Sequence, residues 1–254
     1  MKTKEDLFIP FSWEERRPIF LERFFYMPKN YEYQEQRFQW AELFGNEKPV
    51  HLEICSGNGQ WIGERALQQP EVNWVGVELR FDRARKIWLK SFRENIPNLQ
   101  VICGEGGAFL RCYAPPASVS QVFINFPDPW PKPRHAKHRI IQVPFLEALH
   151  AVVRSGGRVT LATDDVPYRD QMISEFSQVK GWKRIEETDW SSYGDSYFAN
   201  LWKGKGRTIY YLQYEPLPKG RGMIWEEFRT PPKFGCELPG PKGPGFRRPD
   251  ERLD

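Results

Sequence analysis

From residue 50 onward, short runs of β-branched and apolar residues alternate with stretches of helical period, and this alternation leaves few architectures open. The runs are VHLEI, NWVGVEL, LQVIC, SQVFINF and GRVTLAT. Between them, helical patterns fall at residues 61–69, 82–95, 143–153 and 168–179. Strands that alternate with helices pair in parallel and carry their crossovers on the two faces of the sheet, so the expected fold is α/β with a mostly parallel central sheet. A late run, RTIYYLQYE, is expected to close the sheet as an antiparallel edge strand.

The flanks differ in character. Residues 1–45 are rich in aromatics and charges, and YEYQEQRFQWAELF (31–44) reads as an amphipathic helix ending before Gly45. This part is expected to be an N-terminal extension packed on a core domain spanning 46–215. Of the 39 residues from 216 to 254, 8 are Pro and 6 are Gly, so regular structure cannot persist in this basic, flexible tail. With 254 residues, 40% of them apolar, the chain can bury one catalytic domain with such appendages.

Cys55, Cys103, Cys112 and Cys236 form no CxxC pair, and no histidine cluster stands near them, so no metal is expected. Scattered thiols suit a reducing compartment, and the opening MKTKEDLFIPFSWEERR carries acids in place of a secretory apolar run. No stretch reaches membrane-spanning length. A soluble cytoplasmic protein is expected. The formal charge of +4 is too small to indicate a nucleic-acid partner, whereas its distribution is informative.

The first strand runs directly into EICSGNGQW, which places Glu53 near the strand end and Gly57 and Gly59 in a tight turn before a helix. Glycines there let the backbone approach a ligand without a Cβ clash. A dinucleotide fingerprint would put a third glycine at Ile62 and does not. Glu78 ends the second strand, where an acid can take both hydroxyls of an adenosyl ribose. Glu105 follows the third strand. Three carboxylates around one glycine turn repel a pyrophosphate and suit a cation, and S-adenosylmethionine brings both a sulfonium and an α-amino group.

The fourth strand delivers SQVFINFPDPWPKPRHAKHRI. Asn125 and Asp128 emerge at the carboxyl end of the sheet, where open α/β folds place their ligands. Pro127, Pro129 and Pro131 stiffen the loop and limit the entropy lost when it grips a substrate. Lys132, Arg134, His135, Lys137, His138 and Arg139 follow, and the next acid is Glu147, a pattern that fits a phosphate-contacting strip.

The stretch NFPDPWPKPRHAKHR resembles the family pattern NFPDPWPK-x-RH-x-K-x-R of the bacterial tRNA (guanine-N7)-methyltransferases, a resemblance that covers about residues 50–215. It implies a Rossmann-like class I methyltransferase fold with helices on both faces of the sheet, S-adenosylmethionine as cofactor, tRNA as partner and 7-methylguanosine as product, the variable-loop guanine being the family's target. By resemblance Glu53, Glu78, Glu105 and Asp128 contact the cofactor, with Asp128 also at the reaction centre. Lys132 and Asp164, the latter from ATDDVPY, contact substrate, and the segment 134–139 touches RNA. Where the family has T-K-F-E, this chain has Ser196, Tyr197, Phe198 and Ala199. Ser196 is retained as a substrate-binding candidate, and a carboxylate is absent at Ala199, with Glu186 or Glu187 as possible replacements.

A guanine N7 carries a free lone pair, so no proton has to leave before methyl transfer, and the chemistry reduces to alignment and electrostatics. Two other readings compete. An RNA-binding protein of the same fold without turnover is suggested by Ala199, and methylation of an exocyclic amine by the likeness of NFPDPW to an Asn-Pro-Pro-aromatic loop. The sequence does not decide between monomer and homodimer.

Overall fold

A computed structural model describes residues 2–7, 9, 16–186, 188, 190, 193 and 197–217. In chain order the elements are β1 (Ile19–Leu21), β2 (Phe24–Tyr26), α1 (Trp40–Phe44), β3 (Val50–Ile54), α2 (Gln60–Gln68), β4 (Asn73–Glu78), α3 (Phe81–Arg93), β5 (Leu99–Cys103), α4 (Gly106–Cys112), β6 (Val119–Asn125), a 3-10 helix (Pro133–His138), α5 (Val143–Val152), β7 (Val153–Thr163), α6 (Val166–Gln178), β8 (Trp182–Ile185), α7 (Tyr197–Gly204) and β9 (Tyr210–Pro216).

These strands form one sheet in the order β1-β2-β5-β4-β3-β6-β7-β9-β8. From β2 to β7 every pairing is parallel, while β1/β2, β7/β9 and β8/β9 are antiparallel. The order runs outward in opposite directions from β3 and β6, so the crevice above their carboxyl ends is the topological switch point of the sheet. RTIYYLQYE does pair antiparallel, but β8 lies beyond it and takes the edge.

Side-chain alternation along the strands splits the core in two. Val50, Leu52 and Ile54 of β3 join Phe109, Leu146, Leu149, Met172 and Phe176 from α4, α5 and α6 on one face. Trp74 of β4 and Leu99 and Val101 of β5 meet Trp61, Ile62, Ile87 and Trp88 from α2 and α3 on the other. The central strands β3, β4 and β5 are buried along their whole length, as parallel strands covered on both faces must be. Among the described residues no helix is long and apolar enough to cross a membrane.

The N-terminal part departs from expectation. A helix forms only over Trp40–Phe44, and residues 31–39 run without regular structure. Two long-range hydrogen bonds explain this, since Gln36 and Phe38 donate their backbone N–H groups to the carbonyls of Cys112 and Tyr113 (2.8 Å each). A helix would withdraw both donors and lift the Phe38 ring from its contacts with Phe25, Phe109 and Tyr113. Upstream, the β1–β2 hairpin extends the sheet beyond β5, an addition that IFLERFFY hid because each strand is only three residues long.

Asn98 ties the end of α2 to the start of β5. Its side-chain nitrogen lies 2.9, 3.2 and 2.8 Å from the carbonyl oxygens of Ala66, Gln69 and Val72. Replacing Asn98 with Ala strands buried acceptors. The expected cost is about 2 kcal/mol of unfolding free energy, read as a lower midpoint in urea with an unchanged slope.

Candidate active site

The site is built where β3 turns into α2. Backbone N–H groups of Cys55 and Ser56 both donate to the Val77 carbonyl (2.9 and 3.2 Å), which pulls the chain out over β4. Cys55, Gly57 and Gly59 then adopt left-handed backbone angles (φ 66°, 57° and 73°). The two glycines serve different ends. A Cβ on Gly59 would come within 2.6 Å of Ile87, so this residue seats the turn against α3. A Cβ on Gly57 would meet nothing within 4 Å, so there the backbone faces open space.

Glu78, at the end of β4, holds this turn. Its Oε2 accepts from the Gly57 N–H and its Oε1 from the Arg80 N–H, both at 2.8 Å. Burial raises its carboxyl above the usual range, while the two backbone donors and Arg83 oppose the rise.

Glu53 is buried more deeply, with 2% of its surface exposed. Oε1 accepts from Asn125 Nδ2 at 2.9 Å, whereas Oε2 has no hydrogen-bond partner among the described residues. Desolvation pushes this carboxyl up to about 8, against the pull of Asn125 and the nearby Ser56, with Glu78 adding a small upward push. Asn125 ends β6 directly across the switch-point crevice and accepts on Oδ1 from the Tyr193 hydroxyl (2.6 Å).

The third expected acid behaves otherwise. Glu105 leads into α4 with an exposed carboxylate 3.8 Å from Arg111. The acidic rim is therefore two buried carboxylates and one at the surface. Asp128 is exposed. The Cys55 thiol records where the acids converge: burial pushes it up, and Glu78, Asp128 and Glu53 each push it further.

The proline loop is held at both ends. Phe126 donates its N–H to the Ala162 carbonyl (2.8 Å), and Arg139 Nε donates to the Pro129 carbonyl (2.6 Å). Phe126 and Trp130 take left-handed angles (φ 49° and 43°), a strained backbone that these anchors sustain. The Trp130 ring projects with 37% of its surface exposed and lies 5.8 Å from His135 and 5.3 Å from His138 between ring centres.

The basic run divides in the same way as the acids. Lys132, Arg134, Lys137 and His138 are exposed along and beside the 3-10 helix, and His135 is half-buried. Arg139, grouped with them in the sequence, turns inward. Besides Pro129 it bonds Gln171 and lies over the Tyr168 ring at 4.9 Å, so it braces the loop.

Of the two aspartates after β7, Asp165 caps α6 by accepting from the Tyr168 N–H (2.8 Å). Asp164 pairs with Arg207, a residue of the LWKGKGR stretch that nothing in the sequence marked. Ser196 and Glu187 lie outside the described residues. Ala199 is buried on α7, and Glu186 is an exposed partner of Arg184 (3.4 Å). Tyr193 was also missed, since a tyrosine in DWSSYGDSYF carries no periodic or motif signal. Among the described residues no group of three or more His, Cys, Asp or Glu side chains is placed to hold a metal ion.

Residues 47–211 match a family described as "Putative methyltransferase". The chain is 41% identical over 216 residues to the tRNA (guanine-N(7)-)-methyltransferase of Chlamydia felis, covering 83% of this chain and 96% of that protein. It is 42% identical over 217 residues to the enzyme of the same name from Chlamydia trachomatis serovar D, with the same coverage. Among solved structures, the 16S rRNA methyltransferase KamB superposes with a TM-score of 0.52 at 14% identity, over 70% of this chain and 93% of that one, which speaks for the fold alone. On the strength of the curated relatives, which align along nearly their whole length, this chain belongs to the tRNA (guanine-N(7)-)-methyltransferase family.

Proposed function

We propose that the switch-point crevice holds S-adenosylmethionine through Glu53, Gly57, Gly59, Glu78 and Asn125, and that the loop carrying Asp128 presents a guanine of tRNA to it. The enzyme forms 7-methylguanosine in tRNA, using S-adenosylmethionine as the methyl source. The observation that carries the reading of the site is Glu53, a buried carboxylate with one oxygen unmatched beside a glycine turn that faces open space. Burial of such a group is costly unless a cation meets it, and the α-amino group of the cofactor is a cation of suitable size. Glu78, next to the same turn, is placed for the adenosyl ribose. Glu105, at the surface, has a secondary role in this arrangement.

S-adenosylmethionine supplies an electrophilic methyl group on a sulfonium. The protein's residues orient the acceptor and manage charge. The guanine N7 lone pair needs no base, so Asp128 acts by stabilising positive charge as it reaches the purine. Asp164 accepts from the guanine N1 and N2 donors, Trp130 stacks on a base, and Lys132 meets substrate beside them. Ser196 belongs to the same substrate group by its position in the sequence. Arg134, His135, Lys137 and His138 meet the RNA backbone, while Arg139 serves them by holding the loop. Residues 46–215 are the catalytic unit in this reading, with 1–45 as an extension, and the 216–254 tail falls almost wholly outside the described residues. A cytoplasmic location agrees with the unpaired thiols of Cys55, Cys103 and Cys112.

The test is incubation of unmodified tRNA transcripts with methyl-labelled S-adenosylmethionine, followed by digestion to nucleosides. Label in 7-methylguanosine is expected, and label on an exocyclic amine, or none, would overturn the reading. In the same assay Asp128→Ala should lower kcat by about 100-fold or more. Because Asp128 is exposed, its stability should shift by no more than about 0.5 kcal/mol.

Glu53 makes cofactor affinity depend on pH. Its carboxyl, raised to about 8, holds a proton at neutral pH that a bound cation must displace. Affinity should therefore rise with pH between about 5.5 and 7, where an α-amino group keeps its own charge. Calorimetry in buffers of different ionisation enthalpy should show proton release on binding, and Glu53→Gln should weaken binding and abolish that release. The sign for the free protein is opposite. A folded-state pKa above the unfolded value of about 4.3 means that this carboxyl contributes less to stability as pH rises through that interval.

Reversing charge at Arg134 and Lys137 together should reduce the slope of log affinity for tRNA against log salt by about 2, with S-adenosylmethionine affinity unchanged. An unaltered slope would reduce the strip to a solvated face.

A further inference from the structure

The Asn125 amide has two unlike ends, and the site requires them in one order. With Nδ2 donating to Glu53 Oε1 at 2.9 Å, Oδ1 faces the Tyr193 hydroxyl at 2.6 Å. Once a bound cation has displaced the Glu53 proton, a flipped amide would set a carbonyl oxygen against the carboxylate and lose the donor that Glu53 then depends on. A phenol that donates to Oδ1 stabilises the required order.

Tyr193 is held firmly enough to do this. Its ring centre lies 5.5 Å from Trp61, 6.0 Å from Phe123, 5.8 Å from Trp190 and 5.2 Å from Tyr211. Arg65 bonds its carbonyl, and the same guanidinium lies 5.3 Å from the Trp61 ring. Trp61 and Arg65 both belong to α2, the helix that the glycine turn opens. A residue from the segment between β8 and α7 is thus fastened to the cofactor-side helix and hydrogen-bonded to the cofactor-side amide.

We propose that Tyr193 is a positioning residue for the methyl donor: it orients Asn125, and through Asn125 it holds Glu53 with one oxygen directed to an incoming cation. This rests on the reading of Glu53 as the carboxylate that meets the α-amino group of S-adenosylmethionine. Tyr193 is then part of the wall of the donor pocket.

The experiment compares Tyr193→Phe, Asn125→Ala and the double variant in the full chain. Tyr193→Phe keeps the ring packing and removes one hydrogen bond, so the Kd for S-adenosylmethionine should rise about 10-fold. The Kd for tRNA and the kcat at saturating donor should stay within about twofold of wild type. Because the hydroxyl acts through the amide, the double variant should bind the donor no more weakly than Asn125→Ala alone. Unchanged donor affinity in Tyr193→Phe, or losses that add in the double variant, would overturn the role of Tyr193 while leaving the site reading in place. A wild-type protein without measurable affinity for S-adenosylmethionine would overturn the site reading, and Tyr193's role with it.

Discussion

A carboxylate carried into the middle of a parallel sheet has few sources of hydrogen bonds, because the neighbouring strands spend their backbone donors on the ladder. Glu53 sits in that position, on a strand flanked by β4 and β6. A side chain at the end of an adjacent strand can reach it, and Asn125 supplies the contact. Leaving the second oxygen unmatched costs stability and raises the proton affinity of the group, as is common where a protein keeps a buried titratable group for function. The unmatched oxygen is itself buried, beside the glycine turn. At Gly57 the turn faces open space, and Glu78 is occupied in holding the turn.

The backbone around the crevice carries the same signature of function. Cys55, Phe126 and Trp130 all have left-handed angles despite their side chains, and all lie just beyond the ends of β3 and β6. Each such residue costs of order 1 kcal/mol or more and persists only where other contacts over-determine it. Here the Val77 carbonyl fixes the first turn, and the Ala162 carbonyl and Arg139 fix the second. A stiff loop bearing Asp128 next to a stiff turn beside Glu53 and Glu78 is a preorganised arrangement, and it suits a reaction in which alignment and charge matter more than proton transfer.

Much of the fold was legible beforehand because buried parallel strands and their crossover helices write long, unambiguous patterns. The helices α2, α3, α5 and α6 fall within two residues of where the periodicity puts them. Shorter elements were not legible: three-residue strands such as β1 and β2 are too brief to show alternation, and residues 31–39 show a helical pattern that long-range contacts with Cys112 and Tyr113 override. The site divides in the same way. Glu53, Gly57, Gly59, Glu78, Asn125 and Asp128 stand at strand ends, so the strand pattern itself points to them. Glu105 shares that pattern but lies in solvent, and Arg139 belongs to the basic run but is turned inward.

By itself the sequence determined the parallel strands β3 to β7, the position of the glycine turn and the residue make-up of the proline loop, since each depends on residues close together in the chain. The tertiary structure alone decided which acids are buried, which bases are exposed, that Asp164 faces Arg207, and that Tyr193 reaches Asn125. The reason is distance along the chain. Burial and hydrogen-bond partnership are set by residues 43 to 72 positions apart in these contacts, and no local pattern encodes which of them will meet.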